Sequence, residues 1–92
     1  MTIADITEGK IVQHFKRELL SAEERSTSMY LYEILCTAVH TETEQQLVVY
    51  RALYGDKKVY ARPLEMFISP VDREKYPQIK QAFRFEPIND NN

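Results

Sequence analysis

The sequence predicts a mainly β fold, a small SH3-like β-barrel of five or six strands with one or two short helical turns. Three observations lead there. The apolar runs are short and rich in Val, Ile, Tyr and Thr, residue types that suit a pleated, half-buried surface. Brief polar or glycine-containing connections separate them, as hairpins require. A chain of 92 residues has room for one domain, read here as 1–92 with a core of about 9–88 and frayed ends. In so small a domain, several short strands must curl together to dispose of their edges.

Each element has its own justification. Gly9 precedes "KIVQHFKR", where Ile11, Val12 and Phe15 read as a first short strand. "RELLSAEERSTS" changes character: Leu19, Leu20 and Ala22 stand among Glu and Arg, with no β-branched residue before Thr27, which fits one or two helical turns. From Met29 to His40 the pattern is a long strand. Tyr30, Tyr32, Ile34, Cys36, Ala38 and His40 form one alternating set, and Leu31, Glu33, Leu35, Thr37 and Val39 the other. A helix competes for "YLYEILCTA", but the Tyr, Ile, Val and Thr content without a stop signal favours the strand.

"TETEQQ" is then a polar hairpin connection, and "LVVYRALY" the next strand. Gly55-Asp56-Lys57-Lys58 makes a turn, since glycine tolerates positive φ. "VYAR" is a short strand halted by Pro63, which has no N–H to donate to a ladder. "PLEMF" reads as a single tight turn with proline first. A short helix is predicted near Tyr76 to Ala82, and "FRFEPI" as the closing strand. The first residues and the terminal "NDNN" are read as frayed.

Composition narrows the function classes. A net charge of −2 gives no global attraction to nucleic acid or acidic membranes, although a local basic patch remains compatible with it. No apolar run approaches the ~18 residues of a membrane helix, and "MTIADITEGK" lacks the layout of a signal peptide, so a cytoplasmic location and no membrane contact are expected. Cys36 is the only cysteine; its apolar neighbours predict a buried structural thiol.

The ordered frame "GK-x-x-HFK … YEIL-x-x-A-x-HTETEQQLVVYRALYGD … V-x-A-RPLEMF" resembles a small bacterial family, domain of unknown function 1653 (DUF1653). The resemblance runs over roughly residues 9 to 86 and rests on Gly9, Lys10, His14, Phe15 and Lys16, then Ala38, His40, Glu42 and Thr43. It continues through Val48, Val49, Tyr50, Leu53, Tyr54 and Gly55 to Arg62, Pro63, Met66 and Phe67, and closes on Arg84 and Phe85. It implies an SH3-type barrel and brings no established activity. The chain departs from the family pattern at three places. Arg17 replaces a glycine and "RELLSAEERSTSM" lengthens a tight turn; Tyr60 stands for a tryptophan; Thr41 stands for a serine.

Three sets of residues could carry chemistry. "HTETE" offers His40 and Glu42 as metal ligands, with His14 as the only other imidazole, but a zinc site needs three or four ligands and no H-E-x-x-H spacing is present. The alternative is a hairpin turn in which Thr41 and Thr43 bond to local backbone while Glu42 and Glu44 stay solvated. Catalysis lacks a G-x-S-x-G, a P-loop or any glycine run, as Gly9 and Gly55 are the only glycines; no cofactor is expected. The third set is basic and aromatic. Tyr50, Tyr54 and Tyr60 accompany Arg51, Lys57, Lys58 and Arg62 around one hairpin. These tyrosines either cap the core or, with arginine, form a surface for a peptide or for stacked bases.

The reading is therefore a non-catalytic module that docks a protein or peptide through Tyr50, Arg51, Tyr54, Tyr60 and Arg62, with His40 and Glu42 at the rim. Nucleic-acid binding by the same Tyr/Arg/Lys surface is the alternative. A small metal protein or enzyme built on His14, His40 and Glu42 ranks third.

Overall fold

The computed structural model of the chain describes residues 1–88. Five strands, β1 (Ile11–His14), β2 (Leu31–Val39), β3 (Gln46–Ala52), β4 (Val59–Pro63) and β5 (Phe85–Pro87), form one antiparallel sheet in the order β4-β3-β2-β1-β5. A 3₁₀ turn (Phe15–Leu19) and helix α1 (Ala22–Arg25) fall largely in the predicted helical stretch, but the strand ends at His14, which caps the 3₁₀ turn, so Phe15 belongs to the turn and not to the first strand as expected; α2 (Leu64–Phe67) is the "PLEMF" turn. The order is linear, so among the described residues β4 and β5 are the two edges, no ladder joins them, and hydrogen bonds do not close the sheet into a barrel.

The tyrosine face of β3 is the buried one. Val48, Tyr50 and Ala52 join Val12, Tyr32, Ile34, Phe67 and Phe85 in one cluster. Leu47, Val49 and Arg51 point to the opposite face, where Arg51 lies across from Glu33. Helix α2 folds over the concave face, and its Phe67, fully buried, stacks on Phe85 at 4.2 Å with ring planes 6° apart. Burying a ring of this size stabilises by roughly 2–3 kcal/mol, and here it ties the end of β4 to β5.

Two expectations change because of one residue. Ile34 pairs with Tyr50 but Cys36 pairs with Val49, so Leu35 is an extra residue in a β-bulge. The bulge moves Cys36 from the face of Tyr32 and Ile34 to the opposite face, and the strand beyond it overhangs the core. Cys36 is consequently an exposed free thiol, not the buried one expected.

The segment between α2 and β5 is not helical either. Its amides are taken by side chains from elsewhere: the Glu18 carboxylate accepts from Lys80 and Gln81 N–H (2.9 and 2.7 Å), and Glu86 accepts from Ala82 and Phe83 N–H (3.0 and 3.1 Å). Arg73 donates to the Ile79 and Gln81 carbonyls. Those bonds replace the i→i−4 ladder that a helix over Tyr76–Ala82 would need. Val71 and Ile79 with Phe15 make a second small core under this loop.

The longer first loop is also held by side chains. Arg17 donates to the Met29 carbonyl (2.6 Å) and the Arg25 carbonyl (2.7 Å), and Arg25 to the Glu18 and Leu20 carbonyls. Ser21 caps α1, its hydroxyl accepting from Glu24 N–H at 3.1 Å while the Glu24 carboxylate accepts from Ser21 N–H at 3.0 Å. At the chain start Met1 and Ile6 pack against the main core. The terminal "NDNN" lies outside the described residues.

Candidate functional site

The concave face carries a groove that gathers side chains from six stretches of the chain. Two adjoining depressions, of about 220 and 340 Å³, share His14, Lys16 and Arg62. The first is walled by Tyr30, Tyr32, Tyr50, Tyr60 and Phe85. The second continues past Phe15, Asp72, Lys75, Tyr76 and Arg84.

His14 ends β1 and caps the following 3₁₀ turn, its Nδ1 accepting from Lys16 N–H at 3.1 Å. Its ring meets Phe15 at 4.4 Å and the edge of Phe85 at 5.1 Å. Burial, followed by the charges of Lys16, Arg84 and Arg62, lowers its pKa from 6.5 to about 4. His14 is thus neutral at pH 7. With Nδ1 accepting, its proton sits on Nε2, which leaves one N–H donor at the junction of the two depressions.

The two arginines are held at their inner nitrogens. Arg62 Nε donates to the Tyr50 hydroxyl (3.2 Å), and its guanidinium lies 5.7 Å from the centre of the Phe85 ring. Arg84 Nε donates to Ser69 Oγ (3.3 Å), while Ser69 Oγ donates to the Met66 carbonyl (2.6 Å). Burial first, then the neighbouring Arg62, lower the Arg84 pKa. Among the described residues the charged groups that lower His14 are cations, and the neighbour that lowers Arg84 is the cation Arg62, with Tyr50 and Tyr76 acting weakly the other way. Among the described residues the carboxylate lining the groove is Asp72, whose Oδ1 is already engaged as the acceptor for Glu74 and Lys75 N–H (3.0 and 3.4 Å).

Tyr30 adds a strained wall. It has φ of +67°, a region that costs a bulky residue on the order of 1–2 kcal/mol. Its carbonyl accepts from His14 N–H at 3.0 Å, and its ring sits 6.0 Å from His14 and 5.8 Å from Tyr54. Tyr60, on the exposed part of β4, is 44% accessible and tilts over Tyr50 at 5.7 Å. The Tyr32 and Tyr54 hydroxyls share a 2.7 Å hydrogen bond below them, and burial followed by that bond raises the Tyr32 pKa far above its ordinary value.

The model of a family described as "Protein of unknown function (DUF1653)" matches residues 10–87. The chain belongs to this family. No curated protein and no solved structure matches it. Five of the motif residues that carry the DUF1653 resemblance, His14 and Lys16 from "HFK", Arg62 from "RP" and Arg84-Phe85 from "RF", are far apart in the chain and meet in the groove.

The groove also divides the residues singled out in the sequence. Tyr50, Tyr60 and Arg62 line the groove. Tyr54 flanks it through Tyr30 and Tyr32. Arg51 is on the opposite face of β3, because alternation separates it from Tyr50. His40 and Glu42 lie in the β2–β3 turn, where His40 Nδ1 accepts from Glu42 and Thr43 N–H (3.1 and 3.3 Å). They are not a rim of this groove.

His14 and His40 stand at opposite ends of β2, roughly 30 Å apart at the usual rise per residue. Among the described residues no group of three His, Cys, Asp or Glu is placed to hold a metal ion. Reading along single hairpins misses Lys16, Tyr30, Lys75 and Arg84, and it singles out His14 only as a metal or catalytic candidate beside His40. The family motifs are the one signal that marks Lys16 and Arg84 beforehand.

Proposed function

We propose that this protein is a non-catalytic binding module that docks an extended segment of another protein along β4 and over the cationic groove. The observation that supports it is the gathering of His14, Lys16, Arg62 and Arg84 beside tyrosines at an unpaired sheet edge. The Lys58 carbonyl accepts from Ala52 N–H, so by antiparallel alternation Val59 and Ala61 turn their N–H and C=O away from β3. Both residues are exposed. An added strand would find backbone partners there, and its side chains would fall beside Tyr60 and Arg62.

The accompanying fold reading is an SH3-like barrel left open between β4 and β5. Arg62 of β4 reaches over Phe85 of β5, so side chains span a gap that backbone hydrogen bonds do not.

The test is affinity capture with the full chain and its Tyr60→Ala and Arg62→Ala variants, using Arg51→Ala and His40→Ala as controls from outside the groove. A protein partner lost with the first pair and kept with the second supports the reading. One retained equally by all four eliminates this surface.

Nucleic-acid binding is the second reading, favoured by the same cations beside Tyr60 and Tyr76. It requires affinity that falls steeply with salt. Two features weigh against it: the cations are confined to one groove, and the chain as a whole is acidic at −2.

A further inference from the structure

We infer that Arg62 and Arg84, with His14 lining the same depression, form an oxyanion clamp that takes one carboxylate or phosphoryl group of the docked segment. This inference rests on the docking reading for its source of ligand and on the geometry of the arginines for its chemistry. Among the described residues, each guanidinium spends its Nε on a protein hydroxyl, Tyr50 for Arg62 and Ser69 for Arg84. The terminal nitrogens of both have no protein partner there. An arginine anchored at Nε keeps its paired terminal N–H groups in a fixed plane, the arrangement that recognises oxyanions bidentately.

Three further features point the same way. Like charges are held together in a part-buried groove, an arrangement that an anion stabilises and that water screens incompletely. Neutral His14 offers an Nε2–H donor at the junction without adding a charge. Lys16 and Lys75 line the same groove and strengthen its field. Small oxyanions fit better than a long polyanion, because the patch ends within the two depressions.

The experiment is an NMR titration of the 92-residue chain at pH 7 and constant ionic strength. It follows the Arg62 and Arg84 Nε–H and the His14 ring signals, with inorganic phosphate, acetate and chloride added in separate arms. Saturable shifts with phosphate or acetate, and none with chloride, are expected. Phosphate binding tighter than acetate assigns a phosphorylated segment; equal binding assigns a carboxylate.

Arg84→Gln should weaken the preferred anion at least tenfold. Arg62→Lys keeps the charge but loses the fork, and should weaken it several-fold; it serves if the first variant fails to fold. Linear shifts that chloride reproduces, or unchanged affinity in the folded variants, overturn the clamp. Anion binding that survives while partner capture ignores the groove variants would instead retire the docking reading and leave the clamp standing.

Discussion

Stability should fall as pH drops from about 6.5 to 4, and His14 should be the reason. Its ring is held neutral in the folded state by burial and by Lys16, Arg84 and Arg62, which lower its pKa from 6.5 to about 4. Between those values the unfolded chain binds a proton that the folded chain does not, so unfolding becomes easier as pH falls. The contribution is complete above pH 6.5 and is lost on the way down to 4. The full gap corresponds to about 3 kcal/mol; because the ring is only part-buried, screening trims this to roughly 2 kcal/mol. For a domain this size that is a Tm loss on the order of 10 °C.

Urea unfolding at pH 7 and at pH 4.5, on the wild type and on His14→Asn, measures it. Asn can still accept from Lys16 N–H through its side-chain carbonyl, so the variant removes the titrating base and keeps the cap. Its stability should be lower overall but nearly flat across this range. Asp5, whose pKa is lowered from 3.8 chiefly by its hydrogen bond from Thr2 N–H, loses its contribution at still lower pH and does not interfere. A wild-type stability that is level between pH 7 and 4.5, or an equal slope in His14→Asn, would refute the account of this residue.

Phe67→Ala should cost about 3–5 kcal/mol, since it empties a fully buried site against Phe85; a Tm loss under ~5 °C by calorimetry would show that α2 is not what ties β4 to β5. Glu18→Gln should weaken the bond that holds the 70–84 loop, speeding exchange of the Lys80 and Gln81 amides about tenfold by loss of charge-assisted acceptance. Unchanged exchange at those two amides would mean the loop is held by other bonds.

Much of the fold was legible because strands β1 to β4 contain β-branched residues in short apolar runs and each turn has its own signal. Pro63 ends β4, Gly55 takes φ of +60°, and the polar run after His40 is a hairpin turn. The misreadings share a cause: distant residues decide local structure. No periodicity announces the extra Leu35 that turns Cys36 outward. The Tyr76–Ala82 stretch looks helical until Glu18 and Glu86, one of them more than sixty residues away, claim its amides. The candidate site was half visible for the same reason. Tyr50, Tyr60 and Arg62 belong to one hairpin and could be found together. His14, Tyr30 and Arg84 reach them only through the pairing of β1 with both β2 and β5.

The most direct test of the central claim is an amide and arginine side-chain shift map of the protein during titration with an extended glutamate-rich peptide. The account predicts saturable shifts at Val59, Tyr60 and Ala61 along the free edge of β4, together with the Nε–H signals of Arg62 and Arg84. Shifts confined to the Arg51 face or the His40 turn, or none at ~5 mM peptide, where even a millimolar Kd would be visible, would contradict it.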